Sequence, residues 1–155
     1  MKTVHSIIPI LLLLLIPFAP VTAQNSGDEI RTIEITGNDQ MKFDVTEITA
    51  SPGETITIVL TTVSQLPKMA MAHNVVVLKQ DADVTSFVSA AASARNNDFI
   101  PPDLTDQIIA YTPLAGGSET VEVTFTVPEN EGSYEYICSF PGHYMAGMKG
   151  TLIVE

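Results

Sequence analysis

Tyr136-Ile137-Cys138-Ser139-Phe140-Pro141-Gly142-His143-Tyr144-Met145-Ala146-Gly147-Met148-Lys149-Gly150 contains the only cysteine of the chain. It also contains one of its three histidines. Four residues separate Cys138 from His143, and four more separate His143 from Met148. A strand ending at Cys138 must double back to bring those side chains together. Pro141-Gly142 supplies one sharp bend and Gly147 another. The remaining histidine of the folded part, His73, lies far upstream in Met71-Ala72-His73-Asn74-Val75. Thiolate, two imidazoles and a thioether are together the ligand set of a trigonal, electron-transferring copper site. The soft anionic sulfur suits Cu(I), the imidazoles suit Cu(II), and a weak axial thioether leaves neither state its ideal geometry. Little then has to move when an electron arrives.

Zinc competes for the same side chains, because cysteine and two histidines can hold it tetrahedrally with a water. A hydrolase would also need a general base. Glu135 sits on the opposite strand face from Cys138, which argues against one. A metal-free reading makes Cys138 a buried core residue, His73 a structural histidine and Met148 core filler.

Outside this stretch the chain reads as short strands. Ile30–Thr36 is a first strand, and Gly37-Asn38-Asp39 punctuates it. Met41–Ile48 is read as one strand with a bulge or step. Thr55–Thr61 alternates with Ile56, Ile58 and Leu60 on one face. His73–Leu78 is a central strand that begins where an irregular stretch ends. Asp81–Asn97 is the one helix, capped by Asp81 or Asp83, with Val84, Phe87, Val88 and Ala91 at helical spacing. Ile108–Tyr111 is a short strand and Pro113–Ser118 a turn. In Thr120–Val127, Val121, Val123, Phe125 and Val127 point one way. Ser133–Ser139 carries Tyr134, Tyr136 and Cys138 on one face, and Gly150–Val154 closes the fold. The pattern predicts an all-β antiparallel sandwich or barrel with one inserted helical segment.

The first residues differ. Lys2 and His5 precede an apolar run from Ile7 to Val21, and Val21-Thr22-Ala23 ends in a small residue. That is a secretory signal over 1–23, with an uncleaved anchor as the alternative. A flexible segment 24–29 and a single domain 30–155 follow. Cleavage would remove Lys2 and take the formal net charge from −11 to −12. Nucleic acid is excluded as a partner on that balance. An exported chain with one cysteine forms no internal disulfide, and giving the thiol to a metal removes an oxidation liability.

These residues resemble the cupredoxins, specifically the azurins and auracyanins. Cys138-Ser139-Phe140-Pro141-Gly142-His143 with Met148-Lys149-Gly150-Thr151-Leu152 is similar to the azurin ligand loop. Leu66-Pro67-Lys68 with Met71-Ala72-His73-Asn74 is similar to the segment bearing its first histidine, and Ile109–Leu114 to the segment after its helix. The resemblance spans 30–154 and implies an eight-stranded Greek-key sandwich with copper at one end. It implies His73, Cys138 and His143 as equatorial ligands, Met148 as axial ligand, and the Ala72 carbonyl opposite Met148. Azurins usually have glycine at the Ala72 position. The His143–Met148 spacing is one residue longer than in azurin and matches auracyanin and plastocyanin. The azurin disulfide and buried tryptophan are absent from this sequence. These departures favour the auracyanin branch.

The same logic implies supports around the metal. The Asn74 side chain links its strand to Ser139, and the Phe140 N–H reaches the Cys138 sulfur. Pro141 withholds a second N–H. An exposed edge of His143, ringed by Pro67, Met69, Met71, Met145 and Ala146, would be the apolar port for electrons. The expected function is one-electron transfer by Cu(II)/Cu(I) cycling, without catalysis. The expected setting is the periplasm or the outer face of a membrane. The expected protein is a monomer docking transiently on a c-type cytochrome or membrane electron-transfer complex, with its acidic surface steering a basic partner. The alternatives are a copper carrier or storage protein in the same compartment, and a metal-free exported sandwich.

Overall fold

Two sheets face each other, and their inner faces are built by the alternation the sequence displays. The structure, a computed structural model, describes residues 30–155. The expected signal (1–23) and flexible segment (24–29) lie outside the described residues. Strands β1 (Arg31–Asn38), β2 (Lys42–Phe43), β4 (Thr55–Val63) and β9 (Thr120–Thr126) form the first sheet in the order β2-β1-β4-β9. Strands β3 (Glu47–Ala50), β6 (Val76–Leu78), β7 (Ile108–Tyr111), β10 (Gly132–Ile137) and β11 (Lys149–Val154) form the second, in the order β3-β11-β10-β6-β7. Two-residue strands β5 (Ala72–His73) and β8 (Ala115–Gly116) pair with each other at one end. With the two-residue β2, β5 and β8 set aside, eight strands remain, as in the sandwich expected from the sequence.

Ile35 of β1 and Ile56, Ile58 and Leu60 of β4 are buried side by side and face Val75, Val77, Tyr134, Tyr136 and Leu152 across one continuous core. Val121, Val123 and Phe125 of β9 pack against it from the sheet edge. Tyr136 lies fully buried over Gly150, where an added Cβ would fall 2.2 Å from its ring. Its hydroxyl donates to the Val45 carbonyl at 2.8 Å, which satisfies the one polar atom it brings into the core.

Several elements differ from the reading of the sequence. The sheets are mixed rather than antiparallel throughout, because β1 runs parallel to β4 and β3 parallel to β11. Met41–Ile48 is two strands in different sheets. Asp44 accepts the N–H groups of Thr36 and Val45 at the crossing, which ends pairing on one sheet before the next begins. His73–Leu78 divides likewise: β5 pairs with β8, β6 joins the second sheet, and Asn74-Val75 is the corner. Ala115-Gly116, read as part of a turn, forms β8. The helix α1 is shorter, Val84–Ala91, with Asp83 as its cap through Ser86 N–H at 3.0 Å. A 3-10 turn at Arg95–Asn97 follows, then Asp98 and Phe99 in left-handed backbone (φ 50° and 61°). The tenth strand stops at Ile137, one residue before Cys138. Among the described residues no helix is long and apolar enough to cross a membrane.

Candidate metal centre

The strand ends gather three donor atoms at one end of the sandwich. β5 delivers His73, the chain just past β10 delivers Cys138, and the loop beyond delivers His143. That loop is tied shut on itself. Cys138 N–H donates to the Met148 carbonyl at 3.1 Å, and Met148 N–H to the His143 carbonyl at 2.9 Å. His143 N–H donates to Phe140, Ala146 N–H to Gly142, and Gly147 N–H to Tyr144. Gly142 and Gly147 take φ values of 86° and 89°, which side chains rarely tolerate, so both bends need glycine.

Nδ1 of His73 lies 3.2 Å from Nδ1 of His143. The Cys138 sulfur lies 3.4 Å from His143 Nδ1 and 3.9 Å from His73 Nδ1. A point equidistant from the three sits about 2 Å from each, the length of a bond from a first-row metal to imidazole or thiolate. The donor set therefore fits a metal ion in trigonal array. Met148 is fully buried, and its terminal methyl and the His73 ring crowd together over Gly37. A Cβ on Gly37 would stand 2.9 Å from the His73 ring and 3.0 Å from that methyl. Gly37 is thus part of the cradle, although the sequence marked it only as a strand terminus.

The electrostatics favour neutral ligands until a metal arrives. Burial lowers the pKa of His73 to about 4, against opposing pulls from the Asp39 charge and the Asn38 carbonyl. Burial lowers that of His143 to about 4 as well, helped by its proximity to His73. Burial pushes the Cys138 thiol up to about 12, while the backbone N–H groups of Asn74 and Phe140 pull it back. The one from Asn74 was not anticipated, because it depends on the corner between β5 and β6. Loading the site with metal must displace the thiol proton.

Asn74 also ties the two ligand segments together. Its side-chain NH2 donates to Ser139 Oγ at 2.8 Å, and its carbonyl oxygen accepts the Ser139 N–H at 2.9 Å. Phe140 lies against the His143 ring with centroids 4.7 Å apart. Pro141 is exposed at the loop bend. Ala72 is buried in β5, paired with Gly116. His143 itself is only 2 % exposed, so its ring edge lies just beneath the surface rather than open on it, as the sequence reading had it. Around it, Met145 is 81 % and Met69 76 % exposed, Pro67 is exposed, and Met71 and Ala146 are half-buried.

The profile of copper binding proteins of the plastocyanin/azurin family matches residues 31–155. The chain belongs to that family. Auracyanin-A of Chloroflexus aurantiacus is 41 % identical over 133 residues, covering 84 % of this chain and 78 % of the relative. Azurin of Alcaligenes faecalis is 39 % identical over 123 residues, covering 77 % and 94 %. The solved structure of auracyanin A, described as a "blue" copper protein, aligns with a TM-score of 0.71 at 42 % identity over 80 % of this chain and 98 % of that one. In this copper-binding family member, His73, Cys138, His143 and Met148 form the type 1 copper site.

The apo protein carries a pH signature. An unfolded histidine titrates near 6.5, whereas His73 and His143 in the fold titrate near 4. Between those values the unfolded chain binds more protons, so stability rises with pH across that window and is lost as pH falls through it. Urea titrations of copper-free protein are expected to show a clearly lower midpoint at pH 4.5 than at pH 7. An unchanged midpoint would mean the imidazoles are not held neutral by burial.

Proposed function

We propose that this protein carries single electrons between redox partners outside the cytoplasm. The convergence of two imidazoles and one thiol around a point about 2 Å from each carries the reading. Bound there, copper would supply a one-electron Cu(II)/Cu(I) couple. The chain's own residues hold the ligands still. Two segments far apart in sequence are clamped by the Asn74–Ser139 hydrogen bonds, and the loop is closed by its own backbone. Water is kept out, because His73, Cys138 and Met148 are fully buried. A site this enclosed suits electron passage better than ready exchange of metal. Ala72, buried in β5 beside His73, would offer its carbonyl as a further weak donor to a bound copper.

The port is the loop surface over His143, where Met145, Met69, Met71, Pro67 and Ala146 offer an apolar rim. The partner is a redox protein such as a c-type cytochrome or a membrane electron-transfer complex, met by the monomer in brief encounters. Export is the setting that the leader 1–23 and the single cysteine support. Cyclic reduction and reoxidation of copper-loaded protein is expected to be reversible over many cycles without loss of metal. Met145→Glu is expected to slow electron exchange with a protein partner about tenfold while leaving the visible band intact. Unchanged exchange would place the port elsewhere.

A further inference from the structure

The charge of this molecule is not spread evenly, and its distribution bears on which partner can reach the copper end. Register places that end unambiguously. Gly37, near the end of β1, touches the His73 ring, whereas Arg31 begins the same strand about 20 Å away. At the Arg31 end, β4 begins beside the end of β9, and Gly132 pairs with Val154. Glu54, Glu129, Glu131 and Glu155 therefore gather there. Asp81 and Asp83 join them, since Gln80 reaches the Glu131 carbonyl. Only Arg31 and Lys79 offset them at that end.

The copper end is different. Lys42 donates from its ammonium to the Ala146 carbonyl in the ligand loop. Lys149 stands over the Tyr144 ring at 4.9 Å and pairs with Glu135 at 2.9 Å. Lys68 and Arg95 border a cleft of about 200 Å³ whose apolar walls are Met69, Phe99, Leu114 and Phe140. Asp98 also lines it, and Lys68 pairs with Glu119 at 2.8 Å. The Lys68–Glu119 pair is on exposed side chains and holds weakly, while Glu135 of the other pair is half-buried. Phe99, set in left-handed backbone, meets Phe140 edge-on at 4.9 Å, and Phe140 lies on the copper ligand His143 at 4.7 Å. This cleft is the flank of the copper site, with cations on its rim and an aromatic path beneath.

We propose that the cleft between Arg95, Lys68 and Phe140 is a docking site for a redox protein that presents an apolar surface edged with carboxylates. The inference rests on the electron-carrier reading. A basic partner would be drawn by the net charge toward the acidic end, away from the metal. An acid-edged partner is repelled by that end and meets four of the six described cations, Lys42, Lys68, Arg95 and Lys149, at the copper end, so it approaches metal first. Local charges near the contact weigh more than remote ones, because salt screens interactions between exposed charges beyond about 10 Å at 0.1 M.

The test compares two substitutions that change net charge equally at opposite ends, Arg95→Glu and Lys79→Glu. Copper-loaded, reduced protein is mixed with hexacyanoferrate(III), an anionic oxidant. One electron leaves Cu(I) and reduces Fe(III) to Fe(II). Arg95→Glu is expected to slow this step about tenfold, Lys79→Glu less than about twofold, and Arg95→Lys to restore the rate. With a cationic cobalt(III) tris-phenanthroline oxidant, Arg95→Glu is expected to raise it. Equal slowing by both glutamate variants, or no slowing by Arg95→Glu, overturns the proposal. Apo thermal unfolding checks that each variant folds. The visible band of the unsubstituted protein reports separately on the copper reading, so its absence would count against that reading and not against this one.

Discussion

Copper(II) added to a Cys138→Ser variant is expected to produce no intense visible band. That band requires charge transfer from a thiolate to the metal, and Cys138 is the only sulfur anion the chain can make. Serine keeps the shape of the side chain but offers a hydroxyl with no comparable donor strength toward copper. His73 and His143 remain 3.2 Å apart in this variant's frame, so some metal is still expected to bind. Copper affinity should fall by more than about a hundredfold, beyond the range usual for losing a mere support of a ligand. Titration with a competing chelator measures that fall. Retention of the band would require the thiolate donor to come from elsewhere, which the sequence forbids.

Asn74→Ala is the second large effect, and it separates support from ligation. The substitution removes the amide that serves Ser139 N–H at 2.9 Å and Ser139 Oγ at 2.8 Å, in a place sealed from water. Both Ser139 groups are left without these partners, and stability is expected to drop by about 2–4 kcal/mol. The backbone N–H of Asn74 toward the sulfur survives the change, so the blue band should persist. Its position and the reduction potential should shift, because the segment carrying His73 is no longer tied to the one carrying Cys138. Chemical denaturation of apo protein reads the first effect, and voltammetry of loaded protein the second. A potential and stability both equal to those of the unsubstituted protein would show the clamp to be idle.

Much of the site was legible because ligand chemistry is scarce in this chain. With one cysteine and few histidines, the donors could be paired by type before any fold was known. Strands β4 and β9 were legible for a related reason: alternation of Ile56, Ile58 and Leu60, or Val121, Val123 and Phe125, has one face to bury. What the sequence hid were the corners. Phe43, Val45 and Ile48 break alternation by one step, and Val75, Val76 and Val77 run on as one apolar stretch, so one strand with a step and two strands in different sheets look alike. The role of Gly37 was hidden for the same reason, since the His73 ring it admits arrives from a different part of the chain. The Asn74 N–H toward the sulfur follows from the second corner, and no side-chain pattern reports a backbone direction. The exposure expected of His143 failed because the loop closes over it through the bonds from Ala146 to Gly142 and from Gly147 to Tyr144.

The central claim is that His73, Cys138, His143 and Met148 hold one copper ion in a pocket already shaped for it. Adding one equivalent of Cu(II) to the purified, metal-free protein and recording visible absorption with electron spin resonance tests it most directly. The account predicts a strong thiolate-to-copper band and unusually narrow copper hyperfine splitting. A colourless adduct with the wide splitting of an ordinary tetragonal copper complex would contradict it.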